Sequence, residues 1–134
     1  MAQRRELRWL SRRLIDAIHL DQLREHGGSP GVRDENALES ALARPRNRFV
    51  YDPATDLATL AAAYGYGLAT NHGYVDGNKR VAFMALYVFL ALNGRELGAM
   101  ELEVVALMLA LAAGELTEDE LAAWVRSHLR ANEE

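Results

Sequence analysis

The run from Val81 to Leu92, VAFMALYVFLAL, constrains the fold more than any other stretch. Wound into a helix, it is apolar nearly all the way round, so other helices have to surround it. It is too short to span a bilayer, which takes about 20 apolar residues. The segments on either side supply candidate neighbours. Leu7, Leu10, Leu14, Ile15, Ile18 and Leu23 recur at helical spacing and predict a first helix from about Glu6 to His26, ended by Gly27 and Gly28. Asp34 caps a second, ENALESALAR, which Pro45 is expected to stop. The next piece, RNRFVY, lies between Pro45 and Pro53 and is rich in strand formers, so it reads as a short extended arm.

A third helix is predicted from about Asp56 to Asn71. Its internal Gly65 and Gly67 are costly in a helix and point to close packing against a neighbour. The fourth runs from near Asn78 to Asn93 and the fifth from Glu101 to Ala113, the latter read as core. The sixth, from Glu118 to Ala131, opens on the Thr117–Glu120 capping-box pattern. Trp9 and Trp124 fall on amphipathic stretches and are expected to cap the core. Together these elements predict one all-α domain, residues 1–134: a compact bundle of about six helices with one short extended flap.

Charge and composition narrow the function. Lys and Arg number 15 against 19 Asp and Glu, a net charge of −4 in 134 residues, which argues against a general nucleic-acid binder. With no cysteine there is no disulfide framework and no thiolate metal site. No apolar signal core follows the basic N-terminus, and the expectation is a cytoplasmic protein with no membrane partner. His19, His26 and His128 have no spacing that forms a metal site and read as packed or solvated.

Polar chemistry is concentrated immediately before the apolar run, in NHGYVDGNKR, residues 71–80. Each residue there has an ordinary structural reading. Asp76-Gly77 is a common turn pair, Asn78 is a possible helix cap, and Lys79 and Arg80 could be solvated charges. The two cations nevertheless stand at a helix start, where the macrodipole disfavours positive charge. They fit if an anion sits before them, on a site the free N–H groups of a helix start already form. Asp76 would repel that anion unless a metal ion lay between. A magnesium-bound polyphosphate meets all of these conditions, and His72, across the loop, would then be placed as a base.

These residues resemble the Fic/Doc superfamily, whose broad signature is H-P-F-x-[D/E]-G-N-G-R-x-x-R. His72, Asp76, Gly77, Asn78 and Arg80 match it in register, and Lys79 replaces the second glycine, the mark of the Doc (death-on-curing) toxin branch. GGSPGVRDENALESALARP, residues 27–45, and FLALNGREL after the motif also look like that branch. The resemblance implies His72 as general base, Asp76 as Mg²⁺ ligand, and Gly77, Asn78, Lys79 and Arg80 as the grip on the phosphates of ATP. It implies that the segment Arg46–Tyr51, with Arg48, Phe49 and Val50, is a flap that aligns the target by strand-like pairing. Phe83 stands where adenylylating members carry a second arginine, so the resemblance favours a Doc-type protein kinase over AMP transfer. A catalytically inactive binding module is a third reading, since Gly73 and Tyr74 replace the signature's proline and phenylalanine. No inhibitory [S/T]-x-x-x-E-[G/N] motif is present. The branch therefore implies a Phd-like antitoxin with a disordered C-terminal tail, and a threonine of elongation factor Tu as target.

Overall fold

The computed structural model describes residues 6–131, and six helices are found among them: α1 (Arg12–His26), α2 (Glu35–Tyr51), α3 (Leu57–Asn71), α4 (Asn78–Leu92), α5 (Glu101–Ala112) and α6 (Glu118–His128). The all-α bundle is borne out. Its axis is α3, which packs on α2, α4 and α6. Alanine and glycine let the neighbours approach α3 closely. A Cβ added at Gly65 would stand 3.1 Å from Leu86 and 3.4 Å from Leu121, and one at Gly67 3.4 Å from Ala41. Both interior glycines thus sit at helix–helix contacts. The core gathers Leu38, Leu60, Tyr64, Val81, Leu86, Phe89, Leu90 and Leu121, and the partly buried Trp9 and Trp124 pack against its edge. No helix among the described residues is long and apolar enough to cross a membrane.

Three expectations need correction. The first helix starts at Arg12 rather than Glu6, because Ser11 caps it through a bond from Leu14 N–H. The preceding segment is instead clamped to the bundle. Leu10 N–H donates to the Tyr64 hydroxyl, and Asn93 brackets both backbone groups of Arg8.

The second correction concerns Pro45, which does not stop α2; the helix continues to Tyr51. The segment 46–51, with Arg48, Phe49 and Val50, is therefore helical and is not an extended flap. A proline in a helix interior costs about 3 kcal/mol, and tertiary contacts of this half of the helix offset it. Pro45 is buried, Arg44 and Arg48 both reach Glu118 of α6, and Phe49 meets Trp9 edge-on at 5.6 Å. The extended chain beside the polar loop is residues 27–34, joined to it by a bridge between Val32 and Tyr74.

Third, α5 is only partly core. Leu107 and Leu111 are buried, whereas Leu102, Val105 and Leu109 face outward. Local propensity makes α5 a helix, but the bundle offers it only one face to pack on.

Candidate active site

The loop between α3 and α4 is set by its two ends. His72 terminates α3 in the left-handed region, φ 52° and ψ 50°, a conformation uncommon outside glycine. Its carbonyl accepts from Arg33 Nε at 2.9 Å, while the next carbonyl, Gly73, accepts from the N–H groups of Arg33 and Asp34. At the other end Gly77, φ 80°, is the N-cap of α4. No side chain caps that start, and the N–H groups of Asn78, Lys79 and Arg80 have no partner within the helix. Between the ends, the exposed His72, Val75, Asp76 and Lys79 line a cavity of about 360 Å³ together with Gly77, Asn78 and Arg80. The sequence-predicted loop residues therefore meet around one cavity; Arg48, Phe49 and Val50 do not line it.

Asp76 is held rather than free to swing. Its Oδ2 accepts the Ser29 N–H at 3.2 Å and its Oδ1 the Gly77 N–H at 2.8 Å. Those two bonds, in that order, lower its carboxyl below the usual range, and the charge of Arg80 adds to the effect. The carboxylate is ionised at neutral pH and solvent-facing. Gly28, φ 122°, is required by this arrangement: a Cβ there would stand 2.8 Å from Asp76 Oδ2.

Beneath the loop lies support that the motif alone does not disclose. Tyr74 is buried, and its hydroxyl donates to Asp16 of α1 at 2.6 Å, which supplies the partner a buried phenol needs. His19, one turn further along α1, stacks on the Tyr74 ring at 3.8 Å. Its Nε2 bonds the Asp76 carbonyl at 2.8 Å. The signal for His19 was its register: it lies four residues after Ile15 and shares that helix's buried face with Gln22. Gly73 has a steric reason, since a Cβ there would land on the Leu38 side chain.

The cations divide their tasks. Arg80 donates from its terminal nitrogen to the Gly27 carbonyl at 3.0 Å, while its buried Nε has no hydrogen-bond partner. Lys79 is exposed and forms no ion pair among the described residues. Asn78 spends its side-chain oxygen and one amide N–H on the backbone of Tyr74. Its backbone N–H and its second amide N–H remain to be offered to an anion. Phe83, one helical turn after Arg80, packs against the core.

Whether a divalent cation fits can be judged from the donors. No group of three His, Cys, Asp or Glu among the described residues could hold a metal alone. Asp76 is a single fixed carboxylate beside the uncapped start of α4. That suits Mg²⁺, which commonly takes one or two protein carboxylates and fills its other positions with phosphate oxygens and water.

A curated relative, Toxin Doc of Mycolicibacterium smegmatis (strain ATCC 700084 / mc(2)155), is 45% identical over 74 residues, 54% of this chain. The match spans 57% of that relative's length. Residues 9–90, which hold α1 to α3, the whole loop and most of α4, match the family model described as Fic/DOC family. The chain belongs to the Fic/DOC family.

Proposed function

We propose that this protein is a Doc-type toxin that acts in the cytoplasm as a protein kinase. It would transfer the γ-phosphoryl group of Mg-ATP to a hydroxyl of a translation factor such as elongation factor Tu. The observation that carries the reading is the loop itself: His72 lines one cavity with an ionised, pinned Asp76 and with the uncapped start of α4 bearing Lys79 and Arg80.

In this reading, the N–H groups of Asn78, Lys79 and Arg80 receive phosphate oxygens, and the two side chains neutralise their charge. Asp76 would hold Mg²⁺, which, when bound, offsets the charge that builds on the phosphate oxygens. His72 accepts the proton of the target hydroxyl as that oxygen bonds to the γ-phosphorus, and the bond from phosphorus to the β–γ bridging oxygen breaks to release ADP. Such chemistry depends on positioning and charge neutralisation more than on covalent help.

Transfer of AMP is the competing chemistry. Two features favour the γ-phosphoryl reading. Lys79 fills space that a glycine would leave, and Phe83 is packed on the core where a second arginine would be needed. The similarity to a protein named Toxin Doc also supports an antitoxin partner, one whose disordered tail would fold on the toxin and cover it.

The test is label transfer to elongation factor Tu from ATP carrying label in either the γ or the α phosphate. The kinase reading expects γ label only, abolished in His72→Ala and Asp76→Ala. Transfer of α label would replace it with AMP transfer. No transfer of either label, to this target or to a cell extract, would leave a binding module.

A further inference from the structure

Helix α1 places a buried histidine, His19, under the loop. His19 is 6% exposed and lies outside the 71–80 stretch. Its Nε2 faces the Asp76 carbonyl oxygen at 2.8 Å. A carbonyl only accepts, so Nε2 carries the proton and the tautomer is decided by the bond. The ring is locked from a second direction by its parallel stack on Tyr74, 9° between planes. Tyr74 is fixed in turn by Asp16, one helical turn before His19, and Asp16 by Arg12 at 3.0 Å. Two residues of one helix face thus grip the floor of the loop. A Cβ at Gly77 would stand 3.7 Å from the His19 ring, which therefore also backs the N-cap of α4.

We infer that His19 is a positioning residue: its Nε2–H fixes the Asp76–Gly77 peptide, and with it the Asp76 carboxylate, in the orientation that receives a divalent cation. This inference rests on the assignment of Asp76 as the metal ligand. The physical link is short. One peptide unit carries both the carbonyl that His19 holds and the Gly77 N–H that Asp76 Oδ1 accepts. If the carbonyl is released, that peptide can rotate, and one of the two bonds orienting the carboxylate goes with it. Groups that orient a metal ligand from behind typically change affinity by about 10- to 100-fold when removed.

Two substitutions separate hydrogen bonding from packing. His19→Phe keeps an aromatic ring on Tyr74 and loses the donor. His19→Gln loses the stack and keeps an N–H near the position of Nε2. Mn²⁺ binding to the full chain, in the presence of a non-hydrolysable ATP analogue, is followed by the electron paramagnetic resonance of free Mn²⁺, with the Gly77 amide resonance and the melting temperature alongside. The expectation is roughly 10-fold weaker Mn²⁺ binding in His19→Phe, a displaced Gly77 resonance and a near-native melting temperature, with His19→Gln recovering most of the affinity. Wild-type affinity and an unmoved Gly77 resonance in His19→Phe would overturn the role of His19 and leave the metal assignment standing. The role would also fall if His19→Gln were as weak as His19→Phe. Wild-type binding that survives Asp76→Ala would overturn the metal assignment, and this inference with it.

Discussion

Asn78 and Tyr74 are joined twice: Asn78 Oδ1 accepts the Tyr74 N–H and Asn78 Nδ2 donates to the Tyr74 carbonyl, both at 2.9 Å. The asparagine closes the loop as a second strand would, with one amide matching both backbone groups of one residue. Asn78→Ala would leave a part-buried donor and acceptor unpaired, at a cost of about 1–3 kcal/mol. Urea unfolding measures it. A midpoint equal to wild type would mean that the pair adds nothing to loop stability.

Gly73 and Leu38 form a size-matched contact, and the signature's proline would not fit here because any Cβ at residue 73 meets Leu38. Gly73→Ala should destabilise by about 1–3 kcal/mol through overpacking. The double variant with Leu38→Ala should recover part of that loss, and a thermodynamic cycle on the melts gives the coupling. Strict additivity would show that the two residues do not compete for the same space.

Asp56 caps α3 and pairs with Arg126, which lowers its carboxyl from 3.8 to about 2. A depressed folded value means that the stabilisation is present above pH 4 and is lost as pH falls toward 2. The pair is half exposed and screened, so it contributes about 1 kcal/mol. Asn is also a good cap. Asp56→Asn should therefore lose only the charge contribution, and its deficit should vanish in acid. Asp56→Ala should lose about 1 kcal/mol more and keep that part at low pH. Melting curves between pH 2 and 7 separate the two contributions.

His128 ties α6 to α5. Its Nδ1 faces the Trp124 carbonyl at 2.7 Å and its Nε2 the Glu103 carboxylate at 2.8 Å, and these bonds, in that order, raise its pKa above 6.5. Because the folded value is raised, the contribution is complete below pH 6.5 and fades as pH rises through the folded value. Amide exchange in α5, corrected for the intrinsic rate, should therefore show weaker protection at pH 9 than at pH 6. Glu103→Gln should flatten that dependence. Equal protection at both pH values would show that the ion pair does not hold α5.

The helices and the loop chemistry were legible because their causes are local. Apolar spacing, the Asp34 and Thr117 caps and the Gly27–Gly28 stop each act within a turn or two. All six helices were expected from such signals, with the third placed within one residue of its start. The cluster His72, Asp76, Asn78, Lys79 and Arg80 is likewise compact in sequence, so its shared cavity needed only a helix end and a helix start. Pro45 shows the opposite case. Its local preference is to break the helix, and contacts with Trp9 and Glu118, far away in the chain, decided otherwise. The same holds for the orientation of the site. His19 and Asp16 reach the loop across more than fifty residues, and Ser29 and Arg33 reach it from another segment. None of these contacts has a short-range signature, because a hydrogen bond between distant residues depends on how helices pack and not on which residues are neighbours along the chain. By itself the sequence determined that there are six helices among the described residues and that the polar loop lies between the third and the fourth. Only the tertiary structure decided what holds His72 and Asp76 in place, since that depends on the packing of α1 and of residues 27–34 against the loop.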